Sequence, residues 1–587
     1  MPFVILPLSF AHGTRVRRVA ALALMGVLSA AGLMAQQAQQ IGAMPAVPMV
    51  PGVPAAAQQA AELIRPENIR AHVKFLSSDL LEGRGPGKRG GQLAAEYIAT
   101  EFALNGLKPA GDDGTYYQKV NFYAVHTDEA ATTFAVVGKD GATMPLAYNT
   151  DYVTKDERGI ASADGVGVAD IDAPIVFVGY GIDAPEYGWD DYKGVDVKGK
   201  VLLVIVNEPP SDDPEFFKGK AMTYYGRWTY KYEEAAKLGA AGVLIIHRTD
   251  LASYPWAVVQ NSQAIEKSYL EGDPTATLKA ASWIQTTTAA KLMQAAGLDL
   301  DKEIVAAGQK GFKPIELPLR LKAHVVSKVR PYSSANVVGK VEGADLAAKD
   351  AVFYTAHYDH LGIDPTAKGD GIYNGAADNG TGCGILLELG RAFAQSKTPP
   401  PHTVYFSSVT DEEQGLLGSQ YLGMHPPVPA KDIALDLNYD MLLPMGVPTS
   451  TEVSGAERTR FYPVVEKTAK AFDLTIQPDQ FPMAGHYYRS DHFSMARVGI
   501  PAFSIGEGTL FAGHDAAWGE AQMKDYTAHH YHQPSDEYHA SMDFRGDARM
   551  AQFGLMLGWQ ASAGAPTGWK AGDEFEKARK NSMETGK

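Results

Sequence analysis

Among 587 residues there is one cysteine, Cys383. A single thiol excludes an intrachain disulfide and any thiolate cage for a metal, both of which need several sulfurs. Positive charge is also in short supply: 53 Lys and Arg stand against 68 Asp and Glu, a formal balance of -15. That sign argues against a protein that works by neutralising phosphate backbones, and no nucleic-acid partner is expected. No GxSxG elbow and no HExxH helix occurs, so serine-triad and single-zinc helical mechanisms have no anchor. No segment repeats with a solenoid or propeller period.

What is present is enough to bury cores. Hydrophobic residues make up 45% and charged residues 21%, an ordinary globular composition, and at roughly 100 to 200 residues per domain the length implies more than one folding unit. Residues 1–35 place Arg15, Arg17 and Arg18 ahead of an apolar run over 19–35 in which Ser29, Ala30 and Ala31 are small. This is the order of a secretory signal peptide, so the protein is expected to be exported, to the periplasm or the medium, with no stable membrane insertion after signal removal. The Gln-, Ala- and Pro-rich stretch 36–65 is expected to be a flexible linker, with folded structure beginning at Pro66.

In 66–128 helical spacing over 69–77 and 91–105 flanks the loop Glu82-Gly83-Arg84-Gly85-Pro86-Gly87, which is expected at the rim of the molecule. Segment 129–330 turns β-rich, with apolar runs over 175–178, 201–206 and 242–246 and a helix over 232–238, and is expected as a separate compact unit. In 331–565 strands over 336–341, 351–356, 403–409, 433–439 and 502–505 alternate with helices over 380–395 and 458–472. The alternation predicts an α/β fold, a mostly parallel mixed sheet sandwiched by helices. Residues 566–587 form a C-terminal tail.

In open α/β sheets functional groups gather just past the carboxyl ends of strands. Four predicted strands or loops end in acids or imidazoles there: His357-Tyr358-Asp359-His360, Asp378-Asn379, Asp411-Glu412-Glu413 and Asp440, with Tyr531-His532 following late in the chain. Imidazole and carboxylate without thiolate suit zinc, with manganese and cobalt as alternatives, and the number of acids suggests two ions sharing a bridge. Two such ions about 3.5 to 4 Å apart can activate a water between them. Adjacent Glu412 and Glu413 cannot point the same way on extended backbone, so one can hold metal while the other faces the water as general base. Asp359 could orient His357 from behind, and Tyr531 could donate its hydroxyl to an oxyanion.

The series His357-x-Asp359, Gly375-Ala376-x-Asp378-Asn379, Glu412-Glu413-x-Gly415, Asn438-x-Asp440 and Tyr531-His532 resembles the co-catalytic zinc exopeptidases, the group of bacterial leucyl aminopeptidase, aminopeptidase Y and glutamate carboxypeptidase. The resemblance implies His357, Asp378, Glu413, Asp440 and His532 as metal ligands, Asp378 as the bridge, Glu412 as the base, two zinc ions and peptide substrates. Residues 178–182 and 237–243 are similar to the protease-associated domain often inserted in that family. Ala377 departs from it, standing where many members carry a second acid.

Taken singly these residues have ordinary roles: a His after a strand is usually surface or hydrogen-bonded, a Glu pair solvated, an Asp before Asn-Gly a helix cap. Their ordered recurrence carries the argument. His486, His492, His529 and His530 fall on no ligand position and are expected at a polar rim; the run Arg489-Ser490-Asp491-His492 is a candidate substrate contact, with a surface pair of Arg489 and Asp491 as the plainer alternative, and Cys383 is expected to be a packed core thiol. An aminopeptidase is the first expectation. A carboxypeptidase of the glutamate-releasing type or a non-catalytic, receptor-like binding module stands as the alternative. Gly179-Tyr180-Gly181-Ile182-Asp183-Ala184 fits a dinucleotide glycine pattern, but Pro185 to Gly188 follow where a phosphate-binding helix should run, so no nucleotide site is expected.

Overall fold

The computed structural model describes residues 44–252, 254–479 and 482–585. The expected signal segment lies outside them. Among the described residues no helix is long and apolar enough to cross a membrane.

The sheet follows from the apolar runs. Ala351–His357, Val404–Val409 and Ile433–Asn438 are almost wholly buried, as strands covered on both faces must be. Ala351–His357 pairs in parallel with both others, and Ile433–Asn438 pairs in parallel with Ala502–Ser504. Beyond Val404–Val409 the next strand, Ile315–Val341, is antiparallel, which makes the sheet mixed. On one face Phe353, Tyr405, Val409, Leu422, Ile433, Met495 and Ile500 form a core. On the other, Gly382–Gln395 and Arg545–Ser562 lie against the sheet. Gly554 and Gly558 allow the close approach there: a Cβ on them would sit 1.7 Å from the Tyr439 hydroxyl and 1.9 Å from the Tyr354 hydroxyl.

Three expectations about domain edges are corrected. The linker over 36–65 is ordered in its described part: Ala55–Ala61 is a helix, and Val47, Val50, Val53 and Ile64 are buried. Its alanines pack as a small-residue face that composition alone reads as disorder. Segment 129–330 has cores of its own, one around Ile175, Leu203, Ile205 and Ile246, yet it is not a separate sheet. Ile315–Val341 pairs with Val166–Phe177 along one part and Val404–Val409 along another, so one strand runs through the expected boundary at 330. The tail expected over 566–587 is packed in its described part through Trp569 and Phe575, both buried.

Candidate metal centre

Each functional side chain leaves the end of a strand or a loop held by one. His357 is the last residue of Ala351–His357. Glu412 and Glu413 follow Val404–Val409, and Asp440 follows Ile433–Asn438. Asp378 lies in the segment Ala376–Thr381, just before the helix Gly382–Gln395. His532 comes after the helix Ala516–His529. Because parallel strands place their carboxyl ends along one edge, residues far apart in sequence converge.

The convergence is tight. Ligand atoms of His357, Asp378 and Glu413 lie within 4.8 Å of one another, as do those of His357, Glu412 and Asp440. His357 Nε2 is 3.4 Å from Asp378 Oδ1 and 3.2 Å from Asp440 Oδ1. His532 Nε2 is 3.2 Å from Asp378 Oδ2 and 3.1 Å from Glu413 Oε2. Asp378 thus offers one oxygen to each imidazole. Glu412 Oε2 stands 4.0 Å from His357 Nε2, facing the same space while Glu413 faces His532.

The electrostatics are those of a cation site. Burial raises Glu412 well above the usual carboxylate range; His357 opposes the rise, and Asp440 and Glu413 add to it. Burial alone would raise Asp378 too, but hydrogen bonds from His357 and His532 outweigh it and hold it well below its ordinary value. Glu413 is likewise pulled down to about 2, His360 and His532 prevailing over burial and Asp378. Four carboxylates share one space with two imidazoles, and burying that much negative charge demands compensation. The donor set, nitrogen and carboxylate oxygen without sulfur, fits zinc, manganese or cobalt.

The surrounding residues depart from the expectations in several places. Asp359 supports the loop more than the ring: its carboxylate accepts the backbone N–H of Glu412 at 3.1 Å and of Glu413 at 3.4 Å. His357 Nδ1 lies 3.2 Å from the Asp359 carbonyl and 3.8 Å from its carboxylate. Tyr531 stacks on the His532 ring with centroids 3.9 Å apart. Cys383 is buried, its thiol donating to the His357 carbonyl at 3.1 Å. The loop expected at the rim is instead an inner support. Arg84, only 1% exposed, donates to the carbonyls of Tyr358, Leu76, Asn374 and Gly375 at 2.5 to 2.8 Å. Gly375 has φ +59°, and a Cβ there would meet the Asp378 carbonyl at 2.2 Å and Arg84 Nη2 at 2.7 Å, so only glycine fits between the arginine and Asp378.

Other residues of the centre carried no assigned role in the sequence. His360 Nδ1 is 2.6 Å from Glu413 Oε1. Asp536 accepts the N–H groups of Ala377 and Asp378, both at 3.0 Å, so an acid reaches this turn from elsewhere where residue 377 is alanine. Each lies within four residues of a ligand candidate, the one signal that could have found them. Among the four histidines expected at the rim, His492 is buried, and burial lowers it to about 3. Asp491 is buried while Arg489 is exposed, so the two do not form a surface pair. Asp491 is raised to about 7 by burial.

Residues 336–556 match the model of peptidase family M28. The match covers the part of the chain that forms the parallel strands and is confined to it. Aminopeptidase YwaD of Bacillus subtilis (strain 168) is 25% identical over 253 residues, 41% of this chain and 46% of the relative. A probable zinc metalloprotease of Pyrenophora tritici-repentis is 33% identical over 113 residues, 19% of this chain and 25% of the relative. The BOS complex subunit NCLN of Homo sapiens is 27% identical over 175 residues, 29% of each chain. The chain spans less than half the length of these curated relatives. Among solved structures, an aminopeptidase from Aneurinibacillus sp. strain AM-1 superposes with a TM-score of 0.45 at 17% identity, covering 88% of this chain and 97% of that one. BSAP, a zinc aminopeptidase from Bacillus subtilis, gives 0.40 at 15% identity, covering 87% and 97%. The M28 segment contains every ligand candidate.

Proposed function

We propose that the protein is an exported, zinc-dependent exopeptidase, first an aminopeptidase, which removes residues from the amino end of peptides. The observation that carries this reading is the meeting of His357, Asp378, Glu412, Glu413 and Asp440, from separate strand ends, with His532 closing on Asp378 and Glu413. His357 and Asp440 would hold one ion, Glu413 and His532 the other, and Asp378 would be shared. Two zinc ions, with manganese or cobalt as alternatives, would polarise the scissile carbonyl and acidify a water between them. Glu412 would take the proton of that water, since it faces the cluster without being needed to complete either ligand set. It then gives the proton to the leaving amine. Asp359 fixes the backbone that presents Glu412. Tyr531, stacked on His532, would donate its hydroxyl to the oxyanion.

The names of relatives, an aminopeptidase and a zinc metalloprotease, support the same reading. One observation favours a second, the carboxypeptidase type. Arg227 of the inserted segment has a buried Nε without a hydrogen-bond partner, and Arg489 lies near enough to both Arg227 and Tyr531 for its charge to act on them. Guanidinium groups so placed suit a substrate carboxylate.

Hydrolysis of free-amine, amine-blocked and carboxyl-amidated peptides separates the readings. Under the first, only free-amine peptides are cut, a chelator stops the reaction, and Glu412→Gln lowers kcat by about 10²-fold or more with metal content unchanged. Cutting of amine-blocked peptides at an undiminished rate, with amidated ones spared, would transfer the assignment to a carboxypeptidase. Glu412→Gln turning over like the wild type would remove the base.

A further inference from the structure

The loop that carries Glu412 and Glu413 is closed by its own backbone, the Gly415 and Leu416 N–H groups both donating to the Glu412 carbonyl at 2.8 Å, but it is strained. Asp411 and Leu416 have φ of +60° and +63°, the left-handed region that non-glycine residues adopt at a cost. Contacts from outside add to its hold, and part of them come from the inserted segment. Lys267 and Ser268 belong to the strand Lys267–Leu270, which pairs antiparallel with Tyr117–Thr127 and through it with Ile315–Val341. The Lys267 ammonium donates to the Gln414 carbonyl. The Ser268 N–H reaches Gln414 Oε1 at 3.4 Å, and a Cβ on Gly415 would stand 3.3 Å from Lys267 Nζ. At the other end of the loop the Tyr332 hydroxyl donates to Asp411 Oδ2 and lies 2.6 Å from Ser268 Oγ.

The loop is therefore gripped on either side of its two glutamates. Lys267 is the charged member of the grip, with Asp411, Glu412 and Glu157 acting on its ammonium. Resting on the assignment of Glu412 as base, we propose that Lys267, together with Ser268, is a positioning residue: the inserted segment holds the Glu412–Glu413 loop in the geometry that proton transfer needs. The insertion is then part of the apparatus, and does not merely cover the cleft. Lys267 touches the loop carbonyl and not the reacting atoms, so its removal should cost rate more than affinity.

The test is steady-state kinetics of zinc-loaded, full-length protein on the free-amine peptide. Lys267→Met is expected to lower kcat by about 10- to 100-fold, with KM changed by less than about threefold and zinc content equal to wild type. Lys267→Arg, which keeps a cation able to reach the carbonyl, should recover most of the loss. Tyr332→Phe retains the ring and loses the hydroxyl that bridges Ser268 and Asp411, and should lower kcat in the same way even if Lys267→Met does not fold. Wild-type kcat in Lys267→Met and Tyr332→Phe would overturn the proposal, as would a change confined to KM, which would make Lys267 a substrate contact. An inactive Glu412→Gln beside a fully active Lys267→Met removes only the grip; an active Glu412→Gln removes the base on which the grip depends.

Discussion

Arg84 carries more of the centre's geometry than its position in a glycine-rich loop suggests. A buried guanidinium that donates to four carbonyls fixes the segments around residues 76, 358, 374 and 375 at once. Its removal strands those carbonyls, and hydrogen bonds to a charged group are worth about 1.5 to 3 kcal/mol each. Arg84→Met is therefore expected to lose at least ~3 kcal/mol of stability in denaturant unfolding. Arg84→Lys should recover only part of it, because an ammonium cannot fork across four acceptors. A loss under about 0.5 kcal/mol would show that the loop closes without the arginine. Of the ligand candidates His357, Glu413 and Asp440 were legible because each ends or follows an apolar run in a predicted α/β alternation, whereas Asp378 and His532 were legible only through the family resemblance. Arg84 was not, because its acceptors Tyr358, Asn374 and Gly375 lie more than 270 positions away, and an arginine among glycines reads as solvent-exposed.

At the scale of elements, the helix Pro66–Leu76 is tied to its neighbours through a histidine that must stay neutral. His72 is buried in that helix, its Nδ1 2.8 Å from the Tyr97 hydroxyl, and Glu388 and Arg391 act on it from Gly382–Gln395. Burial lowers its pKa to about 4 against an ordinary 6.5, with Glu388 opposing and Arg391 reinforcing. A histidine depressed in the folded state contributes stability that is complete above the unfolded value and is lost as pH falls towards the folded one. The window is pH 6.5 down to about 4, and at about 1.4 kcal/mol per unit the loss across it is on the order of 3 kcal/mol. Melting temperatures across that range should fall more steeply for the wild type than for His72→Gln. Parallel slopes would mean that His72 is not held neutral. The helix itself was legible from its apolar spacing, within a few residues of its bounds. The strained turns at Asp411 and Leu416 were not, since neither is a glycine and nothing local marks a positive φ.

For the whole molecule, the sheet order shows what a sequence can and cannot state. The parallel strands 351–357, 404–409, 433–438 and 502–504 are apolar runs and could be found one by one. Ile315–Val341 could not be seen as one element, because its alternating burial and its length let two cores share it. The strand Lys267–Leu270 is joined through Tyr117–Thr127 to Ile315–Val341 by a continuous ladder, which lets Lys267 reach the loop of Glu412 and Glu413. Everything functional still depends on the charge that gathers at the edge of that sheet. The most direct measurement is anomalous scattering at the zinc edge from crystals of the zinc-loaded protein. The account predicts two peaks flanking the Asp378 carboxylate, one beside His357 and Asp440, the other beside Glu413 and His532. A single peak, or none at these side chains, would contradict it.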